Sequence, residues 1–190
     1  MHFDLNQAAI DVWLALAAVW LITATRAKAV VRTQAGASRL IHVLVMAAAF
    51  ALLFRHDARI GPLAARIVAA SGAAAYGGFA LTVLGAAFAI WARLQLGTNW
   101  SAAVTVKHDH ALVQRGPYRL VRHPIYAGGL AAMLGTALVF GEAGCFVAVA
   151  LSFAGFWWKT RMEEEFMMQH FGADYCQYQR SVKRLIPFVL

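Results

Sequence analysis

The sequence predicts an all-α integral membrane protein of about five transmembrane helices, the last two forming a tight helical hairpin. Three observations predict it. Of the 190 residues, 61% are hydrophobic and only 14% are charged, far from the proportions of soluble globular chains. Five apolar runs recur along the chain, to be measured against the roughly 20 residues a helix needs to cross a bilayer. The 17 Lys and Arg residues fall between and after those runs. A single membrane domain, 1–190, accounts for the whole sequence.

The first run, Ala8 to Thr25, is preceded by Asp4 and by no Lys or Arg, so it reads as a retained anchor rather than a secretory signal. Asp11, near its outer end, reads as a solvated interfacial residue. The second run is Leu40 to Phe54. The third, Ile67 to Ala92, carries Gly72, Gly77, Gly78 and Gly85 among many alanines, a small-residue face suited to close helix packing. Residues 1–92 thus form an expected three-span scaffold. The fourth and fifth runs, Tyr126 to Phe140 and Ala143 to Trp158, are shorter. Only Gly141-Glu142-Ala143 joins them, which implies a hairpin with Tyr126 and Lys159 near each other at its open end.

Cations set the orientation. Four Lys or Arg follow the first run, three the second, five lie from Arg93 to Arg122 and five from Lys159 onward. Placing the N-terminus outside and the C-terminus in the cytosol puts fourteen on the inner face and three on the outer. A bacterial inner (plasma) membrane is the expected location. The net charge of +8 then reflects this bias and not nucleic-acid binding. Cys145 and Cys176 fall on opposite faces, so no disulfide is expected. No His and Cys cluster has zinc spacing, so no metal is expected.

Two inner segments, 93–122 and 159–190, hold most of the unusual polar residues. In the first, Lys107, His108, Asp109 and His110 precede Leu112-Val113, and Gly116-Pro117-Tyr118 marks a turn. Pro124 biases His123 away from helical geometry and suits the first position of the next helix. Such a helix start presents amides to an anion, although Arg122 and Tyr126 read most simply as interfacial anchors. The second segment pairs Lys159 with Glu163 and Arg161 with Glu165 at i, i+4 spacing as it leaves the fifth run, most simply a solvated helix end. Phe171-Gly172 predicts a break. An amphipathic helix with Tyr175, Tyr178 and Arg180 follows, with Lys183 and Arg184 near its end and Leu185-Ile186-Pro187 closing it.

In this order and spacing, several motifs resemble the isoprenylcysteine carboxyl methyltransferase family and its phospholipid-methyltransferase relatives, from about Leu96 to Pro187. They are His110-Ala111-Leu112-Val113, Gly116-Pro117-Tyr118, Arg122-His123-Pro124-Ile125-Tyr126-Ala127-Gly128, Glu163-Glu164, Phe171-Gly172-Ala173-Asp174-Tyr175 with Tyr178, and Leu185-Ile186-Pro187. The resemblance implies an S-adenosylmethionine-dependent methyltransferase with its cofactor-binding region in 93–190. The cytosolic pocket would lie between the loop before the hairpin and the C-terminal helix. Its implied cofactor residues are His110, Ala111, Leu112, Val113, Tyr118, His123, Pro124, Ile125, Tyr126, Glu163 and Glu164. Acidic groups suit the ribose hydroxyls or the amino group, helix-start amides the carboxylate, and aromatic faces the sulfonium.

The implied acceptor is a lipophilic small molecule or prenylated substrate entering from the bilayer. O-methylation of a prenylcysteine-type carboxylate is the first expectation, with Lys159, Arg161 and Glu163 as catalytic candidates. Where the isoprenylcysteine branch carries an Arg to hold the substrate carboxylate, this chain has Lys159, which supplies charge without a bidentate fork. A glutamine that some relatives place upstream of the His-x-Leu-Val run has no obvious counterpart. For a phenol, thiol or amine acceptor, Glu163, His108 or His123 are the candidate bases. Membrane lipids are the expected surroundings, with no nucleic acid. Competing readings are a sterol-reductase-like membrane enzyme using NADPH and a non-catalytic scaffold or transporter.

Overall fold

The computed structural model describes residues 4–24, 30–33, 36–97, 105–107 and 112–189. In chain order the elements are α1 (Leu5–Ala24), β1 (Val30–Thr33), α2 (Gly36–Phe54), α3 (Gly72–Leu96), β2 (Thr105–Lys107), α4 (Pro124–Phe140), α5 (Ala143–Phe171) and α6 (Ala173–Ser181). By length and composition α1, α3 and α5 suffice to cross a membrane, while α2 and α4 are shorter apolar helices. The protein is an integral membrane protein built on these helices. It is not purely α: β1 pairs antiparallel with β2, a short ladder that the hydropathy pattern does not announce.

Local chemistry sets the helix ends. Asp4 begins α1 by accepting the Asn6 amide at 2.9 Å. The third run starts later than its hydropathy suggests, because the Ile67 and Val68 amides bond the Gly141 carbonyl at 2.8 and 3.1 Å. That segment therefore closes over the hairpin tip, and α3 begins after Ser71, whose hydroxyl accepts the Ala74 amide at 3.2 Å. The hairpin turn is as tight as expected, with Gly141 in the left-handed region at φ 75°. The fifth helix does not end near Trp158. No Gly or Pro interrupts the chain between Gly155 and Gly172, so α5 runs 29 residues, about 43 Å. Gly172, at φ 54°, then breaks the chain into α6.

Helices α3 and α4 pack antiparallel through two glycine pairs spaced seven residues apart. A Cβ on Gly78 would lie 2.7 Å from the Gly135 oxygen, and one on Gly85 would lie 2.6 Å from the Gly128 oxygen. Only hydrogen fits at such approaches. Gly77 has no neighbour within 4 Å of a would-be Cβ and Gly72 meets only Tyr76, so half of the expected glycine face forms the contact. Beside the pairs, the Trp13 indole donates to Thr136 Oγ1 at 2.9 Å, and Thr136 donates to the Ala132 carbonyl at 2.9 Å. Helix α2 packs on α5 around buried Ala49, Leu53, Cys145 and Ala148.

The connections sort to the two ends of the bundle. At one end Arg59 Nε sits 3.0 Å from Glu142, and Arg59 Nη1 donates to buried Cys145 Sγ at 2.7 Å. At the other end lie β1, β2, residues 112–123 and α6. Arg93, counted as a loop cation from sequence, is instead buried in the last turn of α3. It donates to the Thr23 carbonyl at 2.7 Å and the Gly97 carbonyl at 3.1 Å, tying the ends of α1 and α3 together.

Candidate functional site

Residues 121–123 and 183–184 lie side by side at the open end of the hairpin. The Arg122 amide donates to the Lys183 carbonyl at 2.8 Å and the His123 amide to the Arg184 carbonyl at 3.0 Å. Tyr178 of α6 donates to the Tyr118 carbonyl at 2.5 Å. These bonds carry the far C-terminal segment onto the chain just before α4. Ahead of Pro124, which disfavours the helical region for the residue before it, His123 is not helical, at φ −122° and ψ 63°.

Glu163 and Glu164, adjacent on α5, have separate surroundings. Glu164 has only 3% of its side chain exposed. Its Oε1 takes Arg122 Nη2 at 2.7 Å and Nε at 2.8 Å, with His123 Nε2 at 3.2 Å. Its Oε2 takes Gln179 at 3.1 Å and Arg184 at 2.5 Å. Both oxygens are occupied by protein donors. Glu163 is 23% exposed; it accepts the Tyr126 hydroxyl at 2.6 Å and stands 3.3 Å from His123 Nδ1. A buried carboxylate with several donors is a structural node, whereas a partly open one keeps lone pairs for a ligand.

His123 bridges the two carboxylates. Burial alone pulls its pKa down, but the hydrogen bonds it donates to Glu163 and Glu164, together with their charges, outweigh that and raise it above the ordinary histidine value. Burial likewise pushes the Tyr118, Tyr175 and Tyr178 hydroxyls well above the ordinary phenol range, so none is a base at neutral pH. A column of rings leads inward. His123 stacks on Tyr126 at 5.9 Å between centroids, and Tyr126 on Phe156 at 4.7 Å. Lys159 Nζ sits 5.5 Å from the centre of the Tyr126 ring, which realises the expected proximity of these two residues.

The structure thus gathers His123, Tyr126, Lys159, Glu163 and Glu164. Pro124 is buried at the start of α4 and Ile125 is half-buried beside it. The Tyr126 and Ala127 amides bond the His123 carbonyl, which leaves Ile125 as the first-turn amide for a ligand. Leu112 and Val113 are half-buried ahead of the Gly116 turn. Tyr118 turns its hydroxyl toward the Ala92 carbonyl on α3, 3.4 Å away. Arg161 is exposed, with its guanidinium 5.7 Å from the Trp157 ring and not beside Tyr126. His108, His110 and Ala111 lie outside the described residues.

Arg122, Gln179 and Arg184 were not among the candidate site residues, and the interfacial-anchor reading of Arg122 is corrected. Its side chain is 8% exposed and points inward, where it also donates to the Val182 carbonyl. The sequence held one hint, a surplus of cations near the acidic run Glu163 to Glu165. Chemically, the site offers a carboxylate with one open side, aromatic faces and a cation. The carboxylate and the rings suit a ligand's hydroxyl, ammonium or sulfonium groups, and the cation suits a carboxylate.

The sequence profile described as phospholipid methyltransferase matches residues 73–174. The protein-S-isoprenylcysteine O-methyltransferase of Tribolium castaneum is 33% identical over 115 residues, covering 59% of this chain and 41% of that protein. Form A of the Arabidopsis thaliana enzyme is 31% identical over 119 residues, covering 59% and 58%. The solved structure of a eukaryotic intramembrane Ras methyltransferase, isoprenylcysteine carboxyl methyltransferase, superposes with a TM-score of 0.56 at 25% identity, covering 78% of this chain and 53% of that one. The matches thus span about half the length of these relatives.

Proposed function

Because the chain belongs to the phospholipid methyltransferase family, we propose that it is an integral membrane S-adenosylmethionine-dependent methyltransferase acting on a lipophilic acceptor, with a prenylcysteine-type carboxylate as the first candidate. The observation that carries this reading is the contrast between Glu163, open on one side and held by Tyr126 and His123, and Glu164, buried among protein donors. Glu163 would bind the cofactor, with Ile125 supplying a helix-start amide and Tyr126 an aromatic face. The half-buried Leu112 and Val113 would add apolar contact. Glu164 would act through the elements it joins, holding α6 and the C-terminal segment against the site.

Bound there, the sulfonium supplies an already activated methyl group, and transfer to a carboxylate requires no proton to be removed. The protein's task is then orientation. Lys159, beside Tyr126 and one turn from Glu163, would position the acceptor, while Arg161 faces Trp157. Charge asymmetry supports the orientation with the N-terminus outside and the site on the cytosolic face of a membrane, in the reading from composition a bacterial plasma membrane.

The test is transfer of labelled methyl from S-adenosylmethionine to N-acetyl-S-farnesylcysteine and to membrane lipid extract, with the product identified by mass. The expected result is a methyl ester formed on the farnesylcysteine. Binding of NADPH with no affinity for S-adenosylhomocysteine would overturn the reading in favour of a membrane reductase.

A further inference from the structure

Arg161, a catalytic candidate from sequence, has no part in the mechanism above. It is exposed on α5, and among the described residues its guanidinium has the Trp157 ring, 5.7 Å away, as its partner and no carboxylate. The Arg184 guanidinium stands 4.7 Å from the centre of the same ring. Arg184 in turn shares the single carboxylate of Glu164 with Arg122. This corner of the molecule therefore carries more positive than negative charge, and Arg161 is the cation left uncompensated.

Below Trp157 runs an apolar groove of about 870 Å³. Phe153 lines it and stacks on Trp157 at 6.0 Å between centroids. Leu185, Ile186 and Pro187, which directly follow Arg184, line it as well. The arginines thus stand at one end of the groove. Along its length, Ala127, Gly128 and Ala131 of α4 lie between Leu84 and Phe88 of α3 and Phe146 and Phe153 of α5. Small residues on one helix between large ones on its neighbours make a slot. It opens outward, since Leu84 is 66% and Ile186 42% exposed, onto a face that only lipid can cover in a membrane helix bundle. Lys159 is two residues from both Trp157 and Arg161, about 200° of helical rotation. The groove and the face beside Tyr126 therefore lie on different sides of α5.

We propose that this groove holds an anionic phospholipid of the surrounding membrane, with one acyl chain along α4 and the phosphate on Arg161. A guanidinium can take two phosphate oxygens at once, and Trp suits the depth at which headgroup meets chain. The volume lies within the range of ligand sites. Charge selects among membrane lipids, because the uncompensated Arg161 favours a headgroup with net negative charge. A lipid seated there touches α3, α4, α5 and the segment from Leu185 to Pro187 together, and so braces the C-terminal segment against the hairpin. Neither Glu163 nor Tyr126 takes part, so the inference does not depend on the methyltransferase reading.

The test titrates the delipidated full chain in detergent with dioleoylphosphatidylglycerol and with dioleoylphosphatidylcholine, and counts bound lipid by native mass spectrometry. Wild type is expected to bind phosphatidylglycerol about fivefold more tightly, the scale of one arginine beside an anionic lipid. Arg161→Gln removes that preference, and Arg161→Lys keeps most of it. Two groove positions are exposed, Ala150 on α5 and Leu134 on α4. Filling the slot from either side, with Ala150→Phe or Leu134→Trp, weakens both lipids alike. The unfolding midpoint in lipid-free detergent checks the fold of each variant. Equal binding of the two lipids by wild type, an unchanged preference in Arg161→Gln, or undiminished binding in both groove variants overturns the proposal. So does weakened binding confined to variants whose lipid-free midpoint has fallen. Displacement of the bound phosphatidylglycerol by N-acetyl-S-farnesylcysteine would make the groove the acceptor's and overturn it equally.

Discussion

The Arg122 guanidinium places two nitrogens, Nη2 at 2.7 Å and Nε at 2.8 Å, against a single oxygen of Glu164, forty-two residues further along the chain. Both side chains are almost fully buried, at 8% and 3% exposure. This pair and its neighbours Gln179 and Arg184 fasten α6 and the C-terminal segment to the start of α4.

Removing one partner of such a pair leaves a buried charge uncompensated. Glu164→Ala is therefore expected to cost about 3–5 kcal/mol of stability. It should also make the chain after Gly172 an early target of limited proteolysis. Thermal unfolding in detergent, with mapping of the first cleavage, checks both outcomes. An unchanged midpoint and an intact C-terminal segment would contradict the role given to Glu164.

Glu163→Gln should behave in the opposite way. The amide can still accept the Tyr126 hydroxyl, so the fold is expected to persist, but the charge available to a ligand is gone. Affinity for S-adenosylhomocysteine is expected to fall by at least about tenfold, the scale of a lost charge-assisted hydrogen bond. Calorimetric titration of both single variants tests the division of roles proposed for the two glutamates.

Glycine substitutions in α3 should divide by position. At Gly85 a methyl group would meet the Gly128 backbone at 2.6 Å, so Gly85→Ala forces the helices apart and is expected to cost about 1–3 kcal/mol. Gly77 has open space around it, and Gly77→Ala should be neutral or stabilising by up to about 1 kcal/mol because helical glycine is entropically costly. Unfolding midpoints of the two variants give the comparison directly.

His123 should make stability depend on pH. Its folded pKa is raised above the ordinary value of 6.5 by the two glutamates, so the folded state binds its proton more tightly than the unfolded state does. The resulting stabilisation is complete below pH 6.5 and is lost as pH rises through the higher folded value. Wild type is expected to lose stability across that window, and His123→Gln to lose less. Denaturation midpoints from pH 5.5 to 9 would reveal the difference, and parallel curves for the two proteins would count against it.

Local chemistry made much of the architecture readable in advance. Hydropathy marked the membrane helices, Gly141 the hairpin turn, Pro124 the start of α4 and Gly172 the break before α6, because each of these acts through the backbone of its immediate neighbours. The same logic misled where a distant contact took precedence. Ile67 and Val68 look like the start of a span, yet their amides go to Gly141. Trp158 looks like the end of a helix that simply continues.

The motifs likewise gathered the residues of the site without dividing the work among them. From sequence, Glu163 and Glu164 are adjacent acids of equal standing, Lys159 and Arg161 are two nearby cations, and Arg122 is a cation at a membrane edge. One helical step of about 100° turns Glu164 toward Arg122 and Arg184 and leaves Glu163 facing Tyr126. Two steps turn Arg161 away from the Tyr126 face that Lys159 occupies. By itself the sequence determined the membrane class, the hairpin and the set of polar residues at its open end. Only the tertiary structure decided which carboxylate is buried and which cation faces the rings, because those relations depend on how separate helices are rotated and packed against one another.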